Sequence, residues 1–153
     1  MITAGNASQI TDGAAAVLVC NDAGLKKIKC DPLVKVKGIS VVGDDPILML
    51  TGPIPATKKV LNESKLNIDE IGLYEVNEAF APVPLAWEIE VKADRSKLNV
   101  NGGAMALGHP LGASGAKLMT TLIYEMHRRN EKYGLQAICE GGGTANATIL
   151  EKV

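Results

Sequence analysis

Apolar and polar positions along the chain switch between two periods, and the switches mark out alternating strands and helices. In PLVKVKGISVV (32–42) apolar residues flank Lys35 and Lys37, as in a half-exposed strand. GAAAVLVC (13–20) is a short continuous apolar run, which predicts a buried strand. After prolines at 53 and 55, ATKKVLNESKL (56–66) sets Val60 and Leu61 on one face and lysines on the other, predicting an amphipathic helix. Asp69 and Glu70 lead into IGLYEV (71–76), a predicted strand. NEAFAPVPLAWEIEVK (77–92) then predicts a helix with Asn77 as its N-cap and Glu78 in the first turn, where a negative charge suits the dipole. Pro84 lies well inside that span and predicts a kink or a late start, because proline removes a helix hydrogen bond.

A short strand is predicted over LNV (98–100), followed by a glycine-rich loop and the helix GAKLMTTLIYEMHRRN (115–130). In that helix Leu118, Leu122, Ile123 and Met126 recur at helical spacing, and His127, Arg128 and Arg129 suit its C-terminal end. LQAIC (135–139) and ANATILEKV (145–153) predict two antiparallel strands around the glycine triplet 141–143. The fold class is therefore α/β, with a mixed sheet and helices on its faces. There is no internal repeat, low-complexity tract or linker. At 153 residues the chain is one domain, able to bury about two thirds of its unfolded surface.

Composition narrows the functional classes. Charged residues make up 22% and the net charge is −1, so no basic field exists to hold nucleic acid or anionic lipid. The apolar runs are far too short to span a bilayer, and no signal-type stretch follows Met1, so a cytoplasmic chain that meets no membrane is expected. The ending EKV is not a peroxisomal address; a mitochondrial or peroxisomal location would need an upstream signal. Three cysteines at no metal-ligand spacing indicate neither a disulfide framework nor a metal site. Aromatics are only 3% against 16 glycines, which points to close backbone approaches around a ligand.

Three loops, each after a predicted strand, gather the residues with chemical potential: 77–80, 102–115 and 139–143. Open α/β sheets bind ligands beyond the carboxyl ends of their strands. GASGAK lacks the Gly-Lys pair of a phosphate loop, and EGGGTANA breaks the dinucleotide pattern. What remains is a loop whose glycines bring backbone amides close to a polar group, with His109 held by Pro110 to donate to an oxyanion or to exchange a proton. Cys139 precedes a run of glycines whose amides would stabilise a thiolate or an enolate oxygen. Cys20, Cys30 and His127 have ordinary structural readings.

Taken together, TAGNASQITDGAAAVL (3–18), GPIPATKKVL (52–61), NEAF (77–80), NVNGGAMALGHPLGASGAKLM (99–119) and YGLQAICEGGG (133–143) resemble the C-terminal half of a thiolase, an acetyl-CoA acyltransferase. The resemblance runs over essentially the whole chain, and NEAF with GHP and C-x-GGG is highly specific. It implies a thiolase-like half, 1–153, with a five-stranded mixed sheet and helices on both faces in the order βαβαβαββ. It also implies acyl transfer between coenzyme A thioesters, by thiolysis of 3-ketoacyl-CoA or condensation of acetyl-CoA, with no permanently bound cofactor and no metal.

The residue roles follow from the same resemblance. Cys139 matches the cysteine that exchanges a proton with the α-carbon. His109 matches the histidine that activates the nucleophilic cysteine and, with a water held by the asparagine matching Asn77, forms an oxyanion hole. Gly141 matches a backbone amide of a second oxyanion hole. Ser8 matches a serine that contacts the pantetheine arm, and Ala79 and Phe80 match residues lining the pocket beside it. The family's nucleophilic cysteine lies in its N-terminal half, and neither Cys20 nor Cys30 sits in a matching context. The expected partners are therefore acyl-CoA or acetyl-CoA, a thiolase N-terminal half or upstream segment, and further copies in a dimer or tetramer. Alone the chain is expected to be sticky or unstable and not to complete the reaction, its helix 113–130 being the one buried between halves. The alternative is an acyl-CoA-binding half-domain without catalysis.

Overall fold

The computed structural model describes all 153 residues, Met1–Val153. In chain order the elements are α1 (Asp22–Ile28), β1 (Val34–Gly43), α2 (Pro53–Ser64), β2 (Leu73–Val76), α3 (Pro82–Val91), the single turn α4 (Ala104–Leu107), α5 (Ser114–Arg129), β3 (Tyr133–Cys139) and β4 (Thr144–Lys152). The strands form one mixed sheet in the order β1-β4-β3-β2. β4 pairs antiparallel with β1 and β3, while β2 and β3 run parallel from Leu73↔Gly134 to Val76↔Ala137. A parallel pair needs a long crossover, and here the chain between β2 and β3 supplies α3, α4 and α5.

The pleat sends alternate side chains to opposite faces. Tyr74, Val76, Leu135, Ala137, Ala147 and Ile149 meet α2 and α3 in the larger core, centred on the fully buried Trp87. Tyr74 packs edge-on to Trp87 with ring centroids 5.3 Å apart, and Trp87 Nε1 donates to Thr57 Oγ1 at 2.8 Å, which satisfies a buried donor. Leu73 and Leu150 point the other way, onto Leu122, Ile123 and Met126 of α5. Helices thus cover both faces, as the sequence predicts.

The sheet has four strands rather than five. The run 13–20 forms no strand: it pairs with neither edge of the sheet and lies exposed, with Leu18 at 74% and Val19 at 73% accessibility. The predicted strand 98–100 shrinks to one bridge, Tyr74↔Leu98. Asn99 turns left-handed (φ 47°), and its side chain takes over the ladder, accepting from Val76 N and donating to Val76 O, both at 2.9 Å. α3 starts at Pro82 instead of Asn77, so Asn77 is no N-cap and Glu78 lies outside the helix. Pro82 and Pro84 both fall in the first turn, where a helix has no use for their missing N–H groups; the prolines set the start rather than a kink. Ile39 and Val41 of β1 lie exposed on the α5 side of the sheet, because α5 packs mainly on β2, β3 and β4.

Replacing Thr57 by Val strands the Trp87 N–H in the core and should cost about 1–3 kcal/mol, read from urea unfolding. A loss under about 0.5 kcal/mol would show that the bond does not hold the two helices together.

Candidate active site

Because β2 and β3 run parallel, their ends fall at the same edge of the sheet, and Asn77 N donates to Ala137 O at 3.0 Å to extend the ladder one residue past β2. Asn77 and Cys139 are thereby brought to one rim. The Asn77 side chain is buried, and neither its amide nitrogen nor its oxygen has a hydrogen-bond partner. Buried amides are almost always paired, so this one is poised for a group beyond the chain's own atoms. Cys139 is half-buried against the larger core, and Phe80 packs on the same cluster. Burial pushes the Cys139 thiol up, a backbone hydrogen bond opposes this, and Glu140 adds a smaller upward push. Glu140 N donates to Thr144 O at 2.8 Å, turning the chain through the glycines. Gly142 and Gly143 are left-handed, and a Cβ at Gly143 would come within 2.7 Å of Asp44 O. Around Gly141 the space is open.

The histidine lies on a separate loop, the one between α4 and α5. α4 ends at Gly108, whose φ of 87° turns the chain toward His109, and a side chain there would overlap Thr11. His109 N donates to Gln9 O at 3.0 Å, and its Nδ1 lies 2.5 Å from Ser114 Oγ at the start of α5. Burial first, and then the nearby Lys117 ammonium, lower the pKa of the half-buried ring, favouring the neutral form. No hydrogen bond joins His109, Asn77 and Cys139 directly.

One segment ties the loops together. Ser8 donates through both N and Oγ to Ala79 O at 3.0 Å, Ala81 N donates to Asn6 O at 2.9 Å, and Gln9 receives His109 N. Residues 6–10 thus strap the 77–81 loop to the His109 loop. Ser8, Ala79 and Phe80 do meet, but through the Ser8 hydroxyl and the loop backbone.

Sequence reading missed the residues that hold α4. Glu78 Oε2 accepts from Met105 N at 3.1 Å and Oε1 from Asn99 Nδ2 at 2.8 Å, while a Cβ on Gly103 would overlap the carboxyl group. At the other end Lys117 Nζ donates to Leu107 O and Gly108 O at 3.2 and 3.0 Å. A carboxylate on the amide end and an ammonium on the carbonyl end both oppose the helix dipole. The spacing of Glu78 from a distant helical turn carries no sequence signal; Lys117, nine residues past Gly108, carries a weak one.

Beneath the rim, Glu75 on β2 is 2% exposed, with Oε2 unpartnered and Gln136 opposite it on β3. Burial, reinforced by Glu78 and Glu125 and only partly offset by Lys117, pushes its carboxyl up to about 8. It therefore sits protonated at neutral pH.

A family model for the thiolase C-terminal domain matches residues 30–152. The chain is 55% identical over 152 residues to the steroid 3-ketoacyl-CoA thiolase of Mycobacterium tuberculosis, covering 99% of this chain and 37% of that protein. A crystal structure of the Bacillus anthracis acetyl-CoA acetyltransferase superposes with a TM-score of 0.95 at 41% identity, over 99% of this chain and 39% of that one. The human mitochondrial 3-ketoacyl-CoA thiolase in complex with CoA gives 0.91 at 42%, over the same shares. The chain thus spans 37% to 39% of the length of these relatives.

Two outcomes follow from the buried groups. Because the thiolate is the reacting form, iodoacetamide at pH 7 should modify the exposed Cys20 and Cys30 about tenfold or more faster than Cys139, read by peptide mass spectrometry; Cys139 reacting first would contradict the burial. Glu75 holds its proton when folded and loses it when unfolded between its ordinary 4.5 and about 8, so stability falls as pH rises through that window. Glu75→Gln should flatten the fall by up to about 1.4 kcal/mol per pH unit, measured by denaturant unfolding across the range. An unchanged slope would show that Glu75 ionises freely.

Proposed function

The chain belongs to the thiolase family, and from that premise we propose that it is the C-terminal catalytic half of an acyltransferase moving acyl groups between coenzyme A thioesters. The observation that carries this reading is the pair at the ends of β2 and β3, an unpartnered buried carboxamide and a half-buried thiol, with the loop of the half-buried His109 tied to the 77–81 loop through residues 6–10. In condensation, Cys139 takes a proton from the α-carbon of acetyl-CoA; in thiolysis it returns one to the leaving enolate. A sulfur whose thiol is pushed up is the stronger base once ionised, which suits exchange with a weak carbon acid. His109, with a water held by the Asn77 amide, stabilises the enolate oxygen as charge moves onto it. The Gly141 amide serves the oxygen of the acyl-cysteine intermediate, and the open space there leaves room for it. Ser8, Ala79 and Phe80 position the pantetheine arm. The acyl group itself rides on a nucleophilic cysteine from a thiolase N-terminal half, which Cys20 and Cys30, both exposed and outside the rim, do not replace.

The names of the relatives point to 3-ketoacyl-CoA thiolysis and acetyl-CoA acetyl transfer as the reaction pair, which fits β-oxidation chemistry. A CoA thioester is then substrate, and the protein supplies only donors, a proton carrier and a shaped wall.

Joined to a thiolase N-terminal half, the chain should restore cleavage of acetoacetyl-CoA, followed by loss of enolate absorbance. Cys139→Ser or His109→Asn should lower kcat/KM by about a hundredfold or more. Restored activity indifferent to both changes would overturn the roles, and CoA-ester binding without turnover in the joined protein would favour the binding-only half-domain.

A further inference from the structure

The Ser114 hydroxyl lies between two acceptors but carries one proton. Its Oγ is 2.5 Å from His109 Nδ1 and 3.1 Å from Pro110 O, and the residue is 4% exposed, so water does not compete. Two arrangements fit those heavy-atom positions. If the hydroxyl donates to Nδ1, one hydrogen bond forms and the proton of the neutral ring sits on Nε2. If the hydroxyl donates to Pro110 O, Nδ1–H donates to Ser114 Oγ, two hydrogen bonds form, and Nε2 keeps its lone pair. The second arrangement uses both contacts and makes one more buried bond, each worth about 0.5–1.5 kcal/mol. That outweighs the modest preference of free imidazole for a proton on Nε2.

Resting on the reading of His109 as a proton-exchanging group, we propose that Ser114 is a positioning residue that, with Pro110 O, holds neutral His109 in its Nδ1–H tautomer and leaves Nε2 as the proton acceptor. The backbone supports the arrangement: Ala113 N and Ser114 N both donate to Pro110 O at 2.8 Å, fixing the carbonyl that orients the hydroxyl. His109 N on Gln9 O fixes the other end of the ring's lever. The arrangement serves two charge states without rearrangement. When Nε2 accepts a proton from the nucleophilic cysteine of a thiolase N-terminal half, Nδ1–H keeps its bond to Ser114 Oγ, and the new Nε2–H is a donor for an oxyanion at the same place. One proton moves from sulfur to nitrogen, the thiol becomes a thiolate, the neutral imidazole becomes an imidazolium, and no other bond changes.

The test is long-range nitrogen–proton NMR of the chain labelled at histidine nitrogens, at a pH above the His109 titration. The expected spectrum has a pyrrole-type nitrogen at Nδ1 and a pyridine-type nitrogen at Nε2, with His127 as the internal contrast. Ser114→Ala should convert His109 to the Nε2–H tautomer, and Ser114→Thr, which keeps the hydroxyl, should restore Nδ1–H. A wild-type ring with its proton on Nε2, or a Ser114→Ala ring still holding Nδ1–H, would overturn the proposal. Should Ser114→Ala fail to fold, the wild-type and Ser114→Thr spectra decide. These spectra need no turnover, so they stand or fall separately from the activity of the joined enzyme.

Discussion

The parallel pairing of β2 with β3 governs the rest of the molecule. It is the one pairing in the sheet that requires a long crossover, and that crossover contains α4, the His109 loop and α5. It also sends Val76 and Cys139 out at one rim, with the Asn77 N–H continuing the ladder onto Ala137. An antiparallel pairing of the same strands would have put Asn77 and Cys139 at opposite ends, with no shared hollow between them.

Precision at the rim comes from polar contacts around very short elements. α4 is four residues long and could not persist alone, since a helix of that length never repays its nucleation. It is held by Glu78 at one end and Lys117 at the other, and the strap of residues 6–10 fixes the loops on either side. These anchors use main-chain groups, which explains the glycine content: Gly103 and Gly108 leave space that a Cβ would fill with Glu78 or Thr11. Beneath them Glu75, the unpaired amide of Asn77 and Gln136, whose carbonyl oxygen has no partner, form a polar layer in an otherwise apolar core. Such a layer costs stability, and it lies directly under the proposed chemistry, where enzymes commonly accept that cost.

Apolar positions that the chain leaves uncovered tell a consistent story. Leu18 and Val19 lie exposed in an unpaired run, and Ile39 and Val41 are exposed on β1. The pattern predicts a buried strand over 13–20, and a stretch with that pattern spends its apolar surface only against a neighbour. The relatives that this chain resembles are longer, the chain spanning 37% to 39% of their length.

Much of the fold was legible from periodicity. β1, β2, α2, α5 and the final antiparallel pair stand within a few residues of where the pattern puts them, because each has an apolar face long enough to set its own period. The motifs marked the candidate residues for a different reason: NEAF, GHP and C-x-GGG are local strings, and local strings survive in the order of the letters. Where α3 begins was decided by two prolines that the first turn tolerates, and the strand over 98–100 gave way to the Asn99 side chain. The grip of Glu78 on α4, the bond between Ser114 and His109, and the exposure of 13–20 depend on which groups the fold brings together. Hydrophobic periodicity is a property of single segments and can be read one segment at a time. Hydrogen-bond satisfaction and strand pairing are properties of pairs, so only the folded arrangement decides them.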